Sequence, residues 1–273
     1  MKILFCGDVV GRSGREVVLR HIPELRERLA LDLIVVNAEN AAGGFGITER
    51  LCHEFYEAGV DVLTLGNHAW AQREIVSYID NDPKLLRPLN YPETTPGLGS
   101  GIYPTSKGER ALVVQVMGRL FMEPLDDPFA AVERVLANHR LGGTVGAIIV
   151  DIHAEATSEK MAMGHYLDGR VSLVAGTHTH VPTADAQVLP GGTAYLSDIG
   201  MCGDYDSVIG MKKEISINRF LRPMRSEPFR PADGEATLCG FYVETNPETG
   251  LAIRAAPLRL NGRLTPAWPL EEG

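Results

Sequence analysis

No two of the four cysteines, Cys6, Cys52, Cys202 and Cys239, form a Cys-x-x-Cys pair. The spacing argues against a thiolate zinc site and against a disulfide scaffold. Cys6 and Cys239 lie in apolar runs and read as buried thiols. Long apolar runs are lacking too. No segment approaches ~18 consecutive apolar residues, so no membrane span is expected. The opening Met1-Lys2-Ile3-Leu4-Phe5 is too short for a signal peptide, and the cytoplasm is the expected compartment. Positive charge is also in deficit: 26 Lys and Arg stand against 35 Asp and Glu, a net −9. Stable binding to duplex nucleic acid rewards many phosphate contacts and is not expected. A small phosphate ester held by a metal stays compatible, because the ion brings its own positive charge. Low-complexity tracts, internal repeats and clear linkers are missing. Residues 1–273 are therefore read as a single domain, 44% hydrophobic, with a substantial core.

What is present is a series of short apolar strands that stop at polar residues. Ile3-Leu4-Phe5-Cys6 ends at Gly7-Asp8. A helical pattern follows through Val17, Val18, Ile22, Leu25 and Leu29, with Pro23 expected to kink or split it. Leu33-Ile34-Val35-Val36 ends at Asn37-Ala38-Glu39-Asn40, and Thr48 should cap the next helix. Val60 to Leu65 ends at Gly66-Asn67-His68, and a helix is expected from about Gln72 to Ile79. Asn81 to Leu98 carries Pro83, Pro88, Pro92 and Pro96 and reads as irregular connection. Tyr103 to Thr105 and Ala111 to Met117 read as strands, and Asp127-Pro128 opens a helix. Ala147-Ile148-Ile149-Val150 ends at Asp151-Ile152-His153. A helix from about Ser158 to Leu167 leads to Val171-Ser172-Leu173-Val174-Ala175, which ends at Gly176-Thr177-His178-Thr179-His180. An extended backbone there would point His178 and His180 the same way. Beyond this point come a hairpin at Pro190-Gly191-Gly192, a long surface loop from Ser197 to Lys213, a short helix from Ile215 to Leu221, and a hairpin across Asn246 to Gly250.

Ligands in α/β sheets bind at the carboxyl ends of strands. Five such ends carry Asp8, Glu39 with Asn40, Asn67 with His68, His153, and His178 with His180. Singly, each has an ordinary reading. Asp8 could cap a helix, Asn67 could serve a turn, and a lone His153 is more often structural than a ligand. Together they form an oxygen-and-imidazole donor set without thiolate, suited to Fe, Mn or Zn. The set exceeds what one tetrahedral ion uses, and a carboxylate bridging two ions would account for the surplus. Gly7, Gly11 and Gly14 lack the Gly-x-Gly-x-x-Gly spacing of a dinucleotide turn.

Gly7-Asp8, Gly66-Asn67-His68, His153 and His178-Thr179-His180 resemble the calcineurin-like metallophosphoesterases. Gly7 to Gly11, Asn37 to Asn40, Gly66 to Trp70, Gly176 to His180, Ser197 to Met201 and Tyr205 to Gly210 resemble its bacterial YmdB-like branch. The resemblance implies an α/β fold, a four-layer αββα sandwich of two mixed sheets. It implies that Asp8, Asn40 and His180 hold one ion, that Asn67, His153 and His178 hold another, and that Glu39 bridges them. The two ions would be divalent or trivalent, iron first, with manganese and zinc also suited. The implied activity is hydrolysis of small phosphodiesters, foremost 2′,3′-cyclic nucleotides, by water activated between the ions. His68 would protonate the leaving oxygen, and Arg12 and Arg15 would assist a second phosphate or ribose. Val10, Glu39 and Ala69 depart from the wider family, where His, Asp and an acidic residue are usual, and agree with the YmdB-like branch. The alternative is a regulatory metal-containing protein that recognises RNA or a protein partner with little turnover. A symmetric homo-oligomer is compatible with either.

Overall fold

Alternate residues of the first strand face opposite ways, and this alternation organises the layers. The computed structural model describes residues 1–222 and 227–270. In chain order its elements are β1 (Lys2–Cys6), α1 (Gly11–Arg28), β2 (Leu33–Asn37), α2 (Glu49–Glu57), β3 (Val62–Thr64), α3 (Ile75–Tyr78), β4 (Leu85–Leu86), β5 (Ser100–Pro104), β6 (Arg110–Met117), α4 (Pro128–Leu136), β7 (Ala147–His153), α5 (Thr157–Tyr166), β8 (Leu173–Thr177), β9 (Gln187–Val188), β10 (Ala194–Leu196), β11 (Gly203–Asp204), α6 (Lys213–Leu221), β12 (Ala236–Thr245) and β13 (Ala252–Leu260).

Ile3 and Phe5 of β1 join Leu33 and Val35 of β2 against Val113, Ile149 and Leu173 of the second sheet. Leu4 and Cys6 face the other way, onto Val18, Ile22 and Leu25 of α1 and Phe55 of α2. The second sheet repeats the pattern outward: Leu112, Val114, Ile148 and Val150 pack on Val132 of α4 and Met163 of α5. Strands apolar on both faces require cover on both sides. The result is the four-layer αββα sandwich expected from the sequence. One sheet has the order β11-β12-β1-β2-β3-β4 with β13 beside β12, and the other has β5-β6-β7-β8-β10-β9. β1, β2, β3 and β4 run parallel, as do β6, β7, β8 and β10. Their carboxyl ends therefore share an edge within each sheet.

Four local expectations change. α1 runs through Pro23 without a break, because the proline lies on the exposed face, where water can satisfy the carbonyl it leaves free. α3 is one turn, Ile75–Tyr78, rather than a helix from about 72 to 79. The proline-rich stretch contributes β4, only two residues long, whose pairing with β3 fixes it where local pattern could not. Finally, the segment from 197 is not a surface loop in its first half, for residues 197–204 are buried. It folds back over the strand ends, with Ile199 N–H donating to Gly176 O at 2.9 Å and Cys202 N–H to Asp8 O at 2.8 Å. A side chain at Gly176 would strike the Ser197 carbonyl.

Candidate metal centre

The five strand ends meet. Donor atoms of Glu39, His153 and His178 all lie within 4.8 Å of one another, and so do those of Asp8, Glu39 and His180. Glu39 belongs to both groups. Asn67 Oδ1 is 2.9 Å from His153 Nε2, and Asn40 Nδ2 is 3.1 Å from both Glu39 Oε1 and His180 Nε2. Holding an ion would require Asn40 to present Oδ1 instead, half a turn of its amide. The approach is close because residue 66 is glycine, and a Cβ there would collide with Glu39 Oε2 and His153 Nε2. Asp8, Glu39, Asn40, His153 and His180 are buried.

Hydrogen bonds at the back of each ring fix which nitrogen turns inward. His180 Nδ1 is 2.8 Å from Ile209 O, which can only accept, so Nδ1 carries the proton and Nε2 faces Asp8 and Asn40. His178 Nε2 is 3.1 Å from the Glu155 carboxylate, leaving Nδ1 facing His153 at 3.1 Å. His153 Nδ1 is 2.9 Å from Thr177 Oγ1, whose hydroxyl donates onward to Asp151 at 2.8 Å. His153 Nδ1 therefore donates and its Nε2 faces Asn67, Glu39 and His178. An imidazole anchored by its outer N–H, with its other lone pair aimed at carboxylates and carboxamides, is the arrangement of a metal ligand. The residues present fit such an ion.

The electrostatics agree. Burial alone would lower the His153 pKa, but the charge and hydrogen bond of Glu39, then Asp8 and Asp151, prevail and raise it to about 9. Burial would raise Glu39, yet His153 outweighs it and the carboxyl lies well below its usual range. Burial raises Asp8, with His180 and His153 opposing. Burial, then the neighbouring His153 charge, lowers His178 to about 3. His153 thus supplies a positive charge between two carboxylates, and a cation could take over that role once Nε2 is deprotonated.

The two histidines after β8 do not continue an extended strand. His178 has φ 98° and His180 φ 66°, a left-handed region that side chains rarely adopt. The sequence expectation of a shared strand face is therefore corrected. The cause is a set of bonds that turns the chain. His178 N–H donates to both Asp8 oxygens at 3.3 and 3.2 Å, and Thr179 N–H and Oγ1 donate to Asp198 Oδ2 at 3.1 and 2.7 Å. Lys160 Nζ donates to the same Asp198 oxygen at 2.7 Å, in an ion pair whose side chains are each 2% exposed. Lys160 was not singled out in the sequence. Asp198, Thr177, Asp151 and Ile209 lie in stretches quoted there, but none was given a role of its own.

His68 lies at the edge of the cluster. Its N–H donates to Glu39 Oε2 at 3.1 Å, its Nε2 is 3.3 Å from Asn67 Nδ2, and its ring meets Phe45 edge-on at 4.9 Å. Burial lowers its pKa, against the pull of Glu39. It lines a cavity of about 280 Å³ that also reaches Glu39, Asn40, His178 and His180. The two arginines considered for a second phosphate are engaged elsewhere: Arg12 is exposed and pairs with Glu16, and Arg15 bonds the Ala41 carbonyl. No helix among the described residues is long and apolar enough to cross a membrane.

Over residues 4–258 the sequence matches the model of a family described as YmdB-like protein. A 2′,3′-cyclic-nucleotide 2′-phosphodiesterase of Bacillus subtilis is 44% identical over 263 residues, covering 96% of this chain and 97% of that protein. The crystal structure of a hypothetical protein from Thermus thermophilus is 46% identical, with a TM-score of 0.89 over 96% of this chain and 100% of that one. That of a novel phosphatase from Mycoplasma pneumoniae is 34% identical, with a TM-score of 0.88 over 96% and 93%.

Proposed function

The chain belongs to the YmdB-like family, and we propose that it is a metal-dependent phosphodiesterase that hydrolyses small phosphodiesters, foremost 2′,3′-cyclic nucleotides. The observation that carries this reading is the set of three imidazoles, each anchored at its outer nitrogen and turned toward shared carboxylates. Asp8, Asn40 and His180 would hold one ion and Asn67, His153 and His178 a second, with Glu39 between. Iron heads the compatible metals, followed by manganese and zinc. Bound there, two ions would lower the pKa of an attacking water and neutralise charge on the phosphoryl oxygens.

The protein's own groups do the rest. Asn67 offers its Nδ2 to a phosphoryl oxygen while Oδ1 faces the centre. Phe45 holds the His68 ring at the cavity wall, and Glu39 fixes its backbone. From there His68 delivers a proton to the leaving ribose oxygen. Its lowered pKa makes the protonated ring a willing donor and favours the neutral ring afterwards. The substrate class rests on the Bacillus relative.

The experiment compares His68→Ala with the parent, both metal-loaded, on two substrates. With a 2′,3′-cyclic nucleotide, kcat should fall by roughly 10²–10⁴. With bis-p-nitrophenyl phosphate, whose nitrophenolate leaves without protonation, the loss should be much smaller. Equal loss on both would remove His68 as proton donor. Bound metal with no turnover of either substrate by the parent would favour the regulatory binding protein instead.

A further inference from the structure

The cavity beside the centre has a floor and a wall of opposite character. Its floor is Glu39, Asn40, His178 and His180 of the candidate ligand set, with His68, and its wall is mostly apolar, from Phe45, Met211, Phe220 and Phe229. Among the described residues, one cation stands in that wall. The Arg219 guanidinium lies 3.6 Å from the centroid of the Phe229 ring. Its Nη2 donates to Glu227 O at 2.9 Å, while its Nε is buried without a hydrogen-bond partner among the described residues. Phe220, on α6, is 88% exposed.

A phosphodiester at the floor needs none of this wall. The rest of a cyclic nucleotide does, because the wall is continuous with the floor and offers ring faces where a base would extend. We propose that this cavity is the base subsite, that aromatic faces hold the base by stacking, and that Arg219 biases the choice toward guanine. The proposal rests on the phosphodiesterase reading. A guanidinium has donors and no acceptor, so it favours an edge rich in acceptors. Guanine presents O6 and N7 side by side, adenine sets a donor beside N7, and cytosine presents a donor in place of O6. Among the described residues the wall holds no carboxylate to reward those donors. The order of preference is guanosine, adenosine, then cytidine.

The test uses metal-loaded full-length protein, as parent, Phe229→Ala, Phe220→Ala and Arg219→Met. The substrates are the 2′,3′-cyclic phosphates of guanosine, of cytidine and of base-free 1-O-methylribose. Calorimetric binding of guanosine 3′-monophosphate against ribose 3-phosphate provides a readout independent of turnover. The parent should favour guanosine over the base-free substrate about tenfold or more, expressed in KM. Phe229→Ala should erode that advantage about tenfold. Phe220→Ala, at an exposed position where folding is not at risk, should erode it in the same direction. Arg219→Met should bring the guanosine-to-cytidine ratio toward one. Turnover without base preference, or preferences unchanged in the variants, would overturn the subsite and leave the phosphodiesterase reading standing. Selective calorimetric binding of the guanosine monophosphate without turnover of any substrate would overturn the phosphodiesterase reading and leave the subsite standing.

Discussion

The two sheets contribute unlike chemistry to one centre. The sheet containing β1, β2 and β3 supplies oxygen donors: Asp8, Glu39, Asn40 and Asn67. The sheet containing β7 and β8 supplies the imidazoles of His153, His178 and His180. The oxygen side needs no unusual backbone, since none of its donors has positive φ. The imidazole side does, at His178 and His180, and it is there that Asp198 and the buried Lys160 hold the chain. A carboxylate or carboxamide reaches an ion through a short, adaptable arm. An imidazole must arrive in plane with one particular nitrogen, so its backbone must be placed more firmly.

Three changes would break or sharpen that contrast. The largest effect should come from Glu39→Gln, because Glu39 alone belongs to both donor groups. Removing its charge while keeping its shape should drop the metal content of both groups and cut kcat/KM by roughly 10³ or more, about 4 kcal/mol of barrier. His178→Ala should affect one group and leave measurable metal at the other. Metal analysis beside turnover checks both. Equal metal loss in the two variants would mean that Glu39 is no more central than its neighbours.

Next comes Lys160→Met, which acts on the imidazole side without touching any donor. It leaves Asp198 buried beside Asp8 and without its cation. Denaturant unfolding should show a loss of about 3–5 kcal/mol, the cost of breaking a buried pair from one end. Adding Asp198→Leu removes the stranded charge and should restore most of that stability. The double variant also frees Thr179, so metal affinity should stay reduced while stability recovers. Full recovery of both would show that the pair serves folding alone and that the turn at His178 and His180 holds itself.

Much of the centre was legible because each strand end is a local event. An apolar run, a stop and a polar residue can be read within ten positions, and the parallel order of the strands then gathers them. The seven candidate ligands and His68 meet for that reason. The turn at His178 was not legible, because its cause lies elsewhere in the chain. Lys160 looks like an ordinary helix lysine until residues 197–204 fold over it, and those residues look like a surface loop until they find the strand ends. β4 was hidden for the same reason: two residues carry no period, and only β3 beside them makes a strand. The cavity wall depends on Phe45 lining one space with residues from α6 and Phe229, a neighbourhood that no local pattern announces.

The smallest of the three effects should come from Thr177→Val, and it examines the contrast most closely. Thr177 is fully buried and belongs to neither donor group. Its hydroxyl accepts from His153 Nδ1 at 2.9 Å and donates to Asp151 Oδ1 at 2.8 Å, so one oxygen transmits the Asp151 charge to the ring and sets its tautomer. Valine keeps the shape and removes both bonds. Nδ1 of His153 would then be buried without an acceptor, and the proton could move to Nε2, the nitrogen needed inside. Metal affinity should fall about 10- to 100-fold, as it does when such an outer partner is lost. Thr177→Ser keeps the hydroxyl and should recover most of that affinity, which a purely packing role would not allow. A matching change on the oxygen side, Asn37→Leu, removes the Oδ1 that accepts from Glu39 N–H at 3.2 Å, together with the amide group that bonds Leu65 O at 3.0 Å, Asp151 at 3.3 Å and Thr177 at 3.5 Å. It should lower stability with little change in metal affinity, because no imidazole depends on it directly. If both variants weakened metal binding equally, orientation would matter as much to the oxygen donors as to the imidazoles, and the division of labour between the sheets would not hold.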